Sequence, residues 1–223
     1  MGTMSRCGMP QITKPLTTTS HALLGLLALR RWTTYELAKQ VQRGLGWFWP
    51  RAERRLYEEP KRLVSAGLAT ATEQHTGKRP RTVYAITDEG RAALRAWLGG
   101  SSAPPVLEFE AMVRVFFADG GTLEQLRTTL VEVETSARTR KAELQSMIEA
   151  SMEGAYEFAA RLPINALALR FYLDHQQLLI DWARRATDQI SGWRSPVEPG
   201  DWDWQDALGV KPDEEVRMVA PTA

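Results

Sequence analysis

Seven cations on two short stretches are the residues of this chain whose types and spacing point to chemistry. Arg51, Arg54, Arg55 and Lys61 fall within one helix-like run, and Lys78, Arg79 and Arg81 crowd around Pro80. A guanidinium fork can bind O6 and N7 of a guanine together, and the first turns of a helix are where base edges are met. Lysine and arginine on a loop tip suit phosphates, which position a protein on a duplex without specifying sequence. The charge distribution supports a polyanion partner. From Arg30 to Arg81 there are 12 basic against 5 acidic residues, whereas the rest of the chain holds 16 basic and 22 acidic. A merely solvated surface mixes the two signs more evenly, and a basic segment in an otherwise acidic chain is an electrostatic footprint.

These cations need elements to carry them. The run from Trp49 to Gly67 reads as a helix, because Pro50 suits the first helical position and Gly67 the left-handed residue after the last. Ala52, Leu56, Leu63 and Val64 make its buried stripe, with the arginines largely opposite. Leu68 to Gln74 and Thr82 to Thr87 read as two strands, joined by the cationic tip 75–81. Upstream, Ser20 caps a helix from Ala22 to Arg30 that is apolar all round and therefore belongs in a core. Thr33 or Thr34 caps a second helix, Tyr35 to Arg43, with Leu37 and Val41 inward, and Gly44 to Phe48 turn the chain. Helix, turn, helix and cationic hairpin are the parts of a winged helix. Tyr35 stays open between a phosphate contact through its hydroxyl and packing under the second helix. Asp88 is expected to cap a fourth helix, with Ala93, Leu94, Trp97 and Leu98 on its inner face.

The run Gly99 to Pro105 is the clearest linker. The expected organisation is a disordered extension over 1–19, a winged helix-turn-helix domain over 20–99, a linker over 100–105, a helical dimerisation domain over 106–192 and a tail over 193–223. The fold class is mainly α with a small β-hairpin (α+β). Beyond the linker, a short helix runs from Val106 to Ala118, and Thr122 opens a long one reaching Glu149. Leu126, Leu130, Val133, Ala137, Leu144 and Ile148 keep it nearly on a heptad, interrupted at Arg140. A helix of roughly 40 Å at 1.5 Å per residue needs a partner surface, from a crossing helix of the same chain or from a second subunit. The last helix, Ile164 to Ile190, has one stripe of Leu167, Phe171, Leu178 and Trp182 and another of Leu169, Leu173 and Ile180. Two apolar faces predict one intrachain contact and one with a dimer mate. The tail, with Trp193, Trp202 and Trp204, is open between an ordered lid and a loose end.

Other chemistries find no footing. The single cysteine, Cys7, has no disulfide partner, and His21, His75 and His175 are too scattered in sequence for a metal cluster. No apolar run approaches the roughly 20 residues needed to span a bilayer, and the protein is expected to be cytoplasmic. There is no phosphate-cradling glycine loop and no nucleophile elbow. Asp174 and His175 are adjacent on a helix and point different ways, so they form no dyad. Neither an enzyme nor a cofactor is expected.

At residue level, LLGLLAL at 23–29, TYELAKQV at 34–41, LYEEPKRLVSAGLA at 56–69 and, most specifically, GKRPRTVYAITDEGRAALRAWL at 77–98 resemble the PadR family of bacterial transcriptional regulators. FEAMVRVFFADG at 109–120 extends the resemblance to the longer members with a helical C-terminal domain. The resemblance implies a homodimeric winged-helix protein, most often a repressor, that binds an inverted repeat in double-stranded DNA and dimerises through its C-terminal helices. Some members are released from DNA by small aromatic compounds. Trp97, Phe171 and Trp182 are the candidates for lining an effector pocket between dimer partners, with plain core packing as the alternative. Two features depart from the family pattern. Pro60 stands where many members carry leucine and is expected to kink the third helix upstream, and Arg54-Arg55 replaces smaller polar residues. Pro60 and the Trp-rich tail motivate a second reading, a small-molecule-binding or protein-interaction module whose winged domain does not bind DNA.

Overall fold

The structure, a computed structural model, describes residues 15–49, 57–76, 79–153 and 158–208. The chain divides into two compact units, 1–105 and 106–223. The first begins with α1 (Thr18–Leu29). Thr17, not Ser20, is its N-cap; Ser20 closes a capping box three residues on, so each hydroxyl serves the other's backbone N–H. The helix therefore starts inside the stretch expected to be disordered. Its Leu23, Leu24 and Leu27 are fully buried and form the core of the unit with Leu37, Val41, Leu63, Trp32 and Tyr84.

A strand of two residues, β1 (Trp32–Thr33), leads into α2 (Thr34–Gly44), which Thr33 and Glu36 close with a second capping box. The described part of the third helix is α3 (Glu59–Ser65), preceded by a turn at Tyr57 and Glu58. Pro60 sits at its second position, where the missing N–H has no intrahelical partner to lose. The kink expected upstream of Pro60 falls at 50–56, which lies outside the described residues. The end of α3 conforms to expectation. Gly67 takes φ +73°, its N–H donates to the Val64 carbonyl, and the Leu68 N–H reaches back to Leu63.

β2 (Ala69–Thr76) and β3 (Arg79–Ile86) form the wing, longer than the sequence pattern predicts, since Thr76 and Arg79 are already paired and two residues remain between the strands. β1 adds to the other edge of β3, giving an antiparallel sheet of order β1-β3-β2 with Trp32 opposite Tyr84 and Thr33 opposite Val83. Two residues are too few to show an alternation, which is why the pattern predicts only a hairpin. Thr87, not Asp88, caps α4 (Asp88–Leu98); its Oγ1 accepts from the Gly90 N–H while donating to the Gly67 carbonyl. Asp88, one residue on, complements the positive helix end instead. Trp97 and Leu98, expected on the inner face, are exposed within this chain.

The second unit contains α5 (Glu110–Phe116), a 3-10 turn at Ala118–Gly120, α6 (Leu123–Glu153) and α7 (Leu162–Gln189). Thr122 and Gln125 close the start of α6 reciprocally. Leu126, Leu130, Val133, Ala137 and Leu144 are buried as the heptad predicts, and the helix they lie on packs along α7. The crossing helix of the same chain therefore covers the seam. Arg184 of α7 and Arg138 share the Glu134 carboxylate at 2.7 and 2.8 Å, tying the pair at its surface. On α7 the buried residues are Tyr172, Gln176, Ile180 and Ala183, while Ile164, Leu167, Phe171 and Leu178 remain exposed. Trp182, assigned to that exposed stripe by its spacing, is instead half-buried against Leu126, Leu130 and Ile190, with Phe109 edge-on at 6.4 Å. The described part of the tail, to Leu208, packs through its tryptophans. Trp193 joins the same cluster, Trp202 meets it edge-on at 5.0 Å, and a short helix, α8 (Trp204–Ala207), follows.

Candidate nucleic-acid interface

The cationic wing is the best-defined part of the candidate site, and its strand register decides what it presents. Partners across an antiparallel pair share a face. Ala69 pairs with Ile86 and Ala71 with Tyr84; Ala69 and Tyr84 are buried, so this face, which also holds Glu73 and His75, is turned toward the core at the wing root. The opposite parity holds Thr70, Thr72, Gln74 and Thr76 of β2 with Ala85, Val83, Arg81 and Arg79 of β3. Both wing arginines of β3 therefore share the outer face. Arg81 is exposed, and its guanidinium donates to Gln74 Oε1, its cross-strand partner, at 3.4 Å. That contact draws the side chain across the sheet.

The other flank is the N-terminal end of α2. Glu36 is held by the Thr33 N–H at 2.7 Å and lies 3.4 Å from the Arg30 guanidinium. The Thr33 backbone, then the Thr33 hydroxyl and Arg30, keep its carboxyl below the usual carboxylate range. One of the five acids in the basic segment is thus committed to a helix cap. Glu59, a second, is buried at 3% exposure in an ion pair with Arg62 at 3.1 Å. Each is paired with a cation of the same segment, Arg30 or Arg62, so the surplus of seven is carried by the remaining cations.

Two family models match this chain, the transcriptional regulator PadR-like family over residues 23–96 and the Virulence activator alpha C-term family over 109–191. The negative transcriptional regulator PadR of Bacillus subtilis is 25% identical over 167 residues, covering 73% of this chain and 91% of that protein. The crystal structure of the same PadR in complex with operator DNA superposes with a TM-score of 0.68 at 21% identity, over 78% of this chain and all of that one. A second PadR structure, with p-coumaric acid, gives 0.63 at 20% identity over 78% of this chain and 99% of that one. The Vibrio cholerae virulence activator AphA gives 0.62 at 24%, again over 78% and 99%. The chain carries a PadR-like domain followed by a Virulence activator alpha C-term domain. Its fold is the winged-helix domain with a helical C-terminal unit that these regulators share, and the family is one of transcriptional regulators rather than enzymes.

Within the PadR-like domain, the expected contact residues distribute as follows. Tyr35 is 76% exposed at the first turn of α2, so packing beneath that helix is excluded and its hydroxyl is available. Lys61 is exposed on α3 and Arg81 on the outer wing face. Arg79 opens β3 on that same face. Arg51, Arg54, Arg55 and Lys78 lie outside the described residues. Sequence reasoning misses Gln74, because a lone glutamine in a strand carries no signal; only the register places it against Arg81.

The aromatic candidates for an effector site separate. Trp97 lies flat on the His21 ring, with centroids 4.8 Å apart and an interplanar angle of 6°, and stays 44% exposed. Phe171 is 69% exposed on α7. Trp182 packs against the core cluster, and its separation of 11 positions from Phe171 spans about 16 Å of helix. These two therefore do not line one small cavity. Among the described residues, no helix is long and apolar enough to cross a membrane.

Proposed function

We propose that this protein is a dimeric DNA-binding transcriptional regulator, acting as a repressor, that binds an inverted-repeat promoter site through its third helix and its basic wing. The observation that carries this reading is the register of the wing, which puts Arg79 and Arg81 on one outer face of a segment with a surplus of seven positive charges. Such contacts set the position on the duplex, and the arginines of the third-helix run supply sequence discrimination. PadR of Bacillus subtilis, which has the same fold, is a negative regulator crystallised with operator DNA. The dimer is supported by the exposed stripe Ile164, Leu167, Phe171 and Leu178 on α7, an apolar row at near-heptad spacing. A small aromatic compound is the proposed effector, in line with the p-coumaric acid bound to that PadR. Trp97, Phe171 and Trp182 are, each within its own unit, the candidate aromatics to meet it.

The second reading, a winged domain without DNA affinity, remains the alternative that the same titration decides. The test is fluorescence anisotropy of the full-length protein against its own upstream DNA and a scrambled duplex, at several salt concentrations. The native fragment is expected to bind about 10³-fold more tightly. Arg81→Ala is expected to lower the slope of log K against log salt by about one, the share of a single phosphate no longer neutralised. Equal, weak binding of both duplexes overturns the proposal.

A further inference from the structure

The two faces of the wing differ in more than burial. On β2, Thr70, Thr72 and Gln74 alternate with Ala71, Glu73 and His75, and all six are exposed. The outer row continues on β3 as Ala85, Val83 and Arg81, the cross-strand partners of the first three. Glu73, the one carboxylate in the described strands, sits in the other row, opposite Thr82. The outer row therefore holds hydroxyls, an amide and a guanidinium, without a negative charge. Its donors face outward. Ala85 and Val83, opposite the two threonines, have side chains that offer their hydroxyls no hydrogen-bond partner. Gln74 accepts from the Arg81 guanidinium through Oε1 at 3.4 Å, which leaves its amide N–H groups to donate elsewhere.

Threonine suits an exposed strand by propensity alone, but propensity does not explain why the acid lies only in the other row. Alternate residues of a strand stand about 6.6–6.8 Å apart. Successive phosphates of one DNA strand rise about 3.4 Å along the axis and lie roughly 7 Å apart along the helical path. Three short donors at the strand spacing can therefore meet consecutive phosphates. Short side chains let a duplex approach the sheet closely and lose less conformational freedom than lysines would. Hydroxyls and amides bind phosphate oxygens without adding charge. β2 is the edge strand, so no further strand of the sheet obstructs that approach. We propose that Thr70, Thr72 and Gln74 form a neutral phosphate rail, which with Arg81 carries one DNA strand along the outer face of the wing. This inference rests on the DNA-binding reading above and adds residues to its interface.

Thr70→Val/Thr72→Val in the full-length protein removes both hydroxyls while keeping shape and strand propensity. Thr82→Val, the same change on the opposite face, is the control, and Thr72→Ser keeps a hydroxyl. Each is titrated by anisotropy against the native and scrambled duplexes at several salt concentrations, beside Arg81→Ala. The double variant is expected to bind about tenfold more weakly, from two hydrogen bonds of ordinary strength. The loss is expected to be equal on both duplexes, because phosphates carry no sequence. Its salt slope is expected to match the wild type, since no cation is removed, whereas Arg81→Ala lowers the slope. Thr82→Val and Thr72→Ser are expected to bind like the wild type. Wild-type affinity in the double variant overturns the rail and leaves the DNA-binding reading intact. So does a loss confined to the native duplex, which would make the threonines base contacts, or an equal loss in Thr82→Val. If the wild type binds both duplexes alike, the regulator reading fails and the same comparison still decides the rail. A wild type that binds neither overturns both. Should the double variant fail to fold, Thr72→Val decides alone, with an expected loss of about threefold.

Discussion

Replacing Gly90 with alanine sets two effects of opposite sign against each other at the root of the wing. Gly90 is the third residue of α4, and in an open helix the added methyl would stabilise by about 1 kcal/mol. The site is not open. A Cβ at Gly90 would press on the Leu68 carbonyl oxygen well inside contact distance and stand 2.8 Å from Ile86 Cγ1. Neither neighbour can retreat cheaply. Leu68 is held by its own N–H to the Leu63 carbonyl and by its carbonyl to the Thr87 N–H, and Ile86 is paired with Ala69 in the sheet. If α4 moves away instead, the Gly90 N–H leaves Thr87 Oγ1, and a side-chain cap is worth about 1 kcal/mol. Overpacking of a filled site costs about 1–3 kcal/mol, and a rigid backbone neighbour puts this one at the upper end. The clash wins, with a net loss of roughly 2 kcal/mol once the propensity gain is subtracted. For a unit of this size that lowers the unfolding midpoint by roughly 10–15 °C in a far-ultraviolet circular dichroism melt. A Gly90→Ala protein that melts at or above the wild-type temperature would refute the reasoning, because propensity would then outweigh the approach of α4 to Leu68.

His21 gives the stability a pH dependence. Burial, partly opposed by its bond to the Thr17 carbonyl, lowers its pKa, so the unfolded chain binds the proton first as pH drops below about 6.5. Stability is therefore fully present above that pH and declines toward pH 5; His21→Phe, which keeps a ring against Trp97, is expected to flatten this part of the profile in denaturant titrations, and an unchanged slope would assign it to other groups. Phe171→Glu places a charge in the middle of the exposed α7 stripe and is expected to halve the mass found by sedimentation equilibrium while leaving the helical signal intact. A variant that remains dimeric moves the interface elsewhere.

What could be read from the sequence follows the length of the pattern. The seam of α6, from Leu126 to Leu144, spans several turns, and every heptad position named within it is buried. Gly67 was legible because only one residue type takes its conformation readily. Helix starts slipped by one to three residues, to Thr17 and Thr87, because several capping residues stand side by side there and tertiary contacts choose among them. The burial of Glu59 carries no sequence signal, since glutamate is rarely buried without a partner, and its partner Ser20 is 39 residues distant. Trp182 misled by its spacing. Its helical face continues that of Phe171, but the α5 corner, through Val115 and Phe109, closes over only one end of α7.

The two-residue strand β1 shows how an element without sequence signal can govern the functional face. Shifting the pairing of the wing strands by one residue would carry Arg79 and Arg81 to the core-facing side and bring Tyr84 out to solvent. Tyr84 resists that shift through more than its own burial. Trp32 lies opposite it across β1, and the Trp32 indole N–H is fixed to the Leu26 carbonyl of α1 at 2.6 Å. The parity of β3 is therefore referred back to α1, the helix whose first turn also holds Trp49 and Glu59. One helix, apolar from Ala22 to Leu29 and with no residue of its own among the expected DNA contacts, anchors the register of the wing at its C-terminal end and bonds Trp49 and Glu59 at its first turn. A poorer fit at α1 should then weaken discrimination between DNA sequences before it weakens attraction to DNA, since the cations stay in place and only their spacing relaxes.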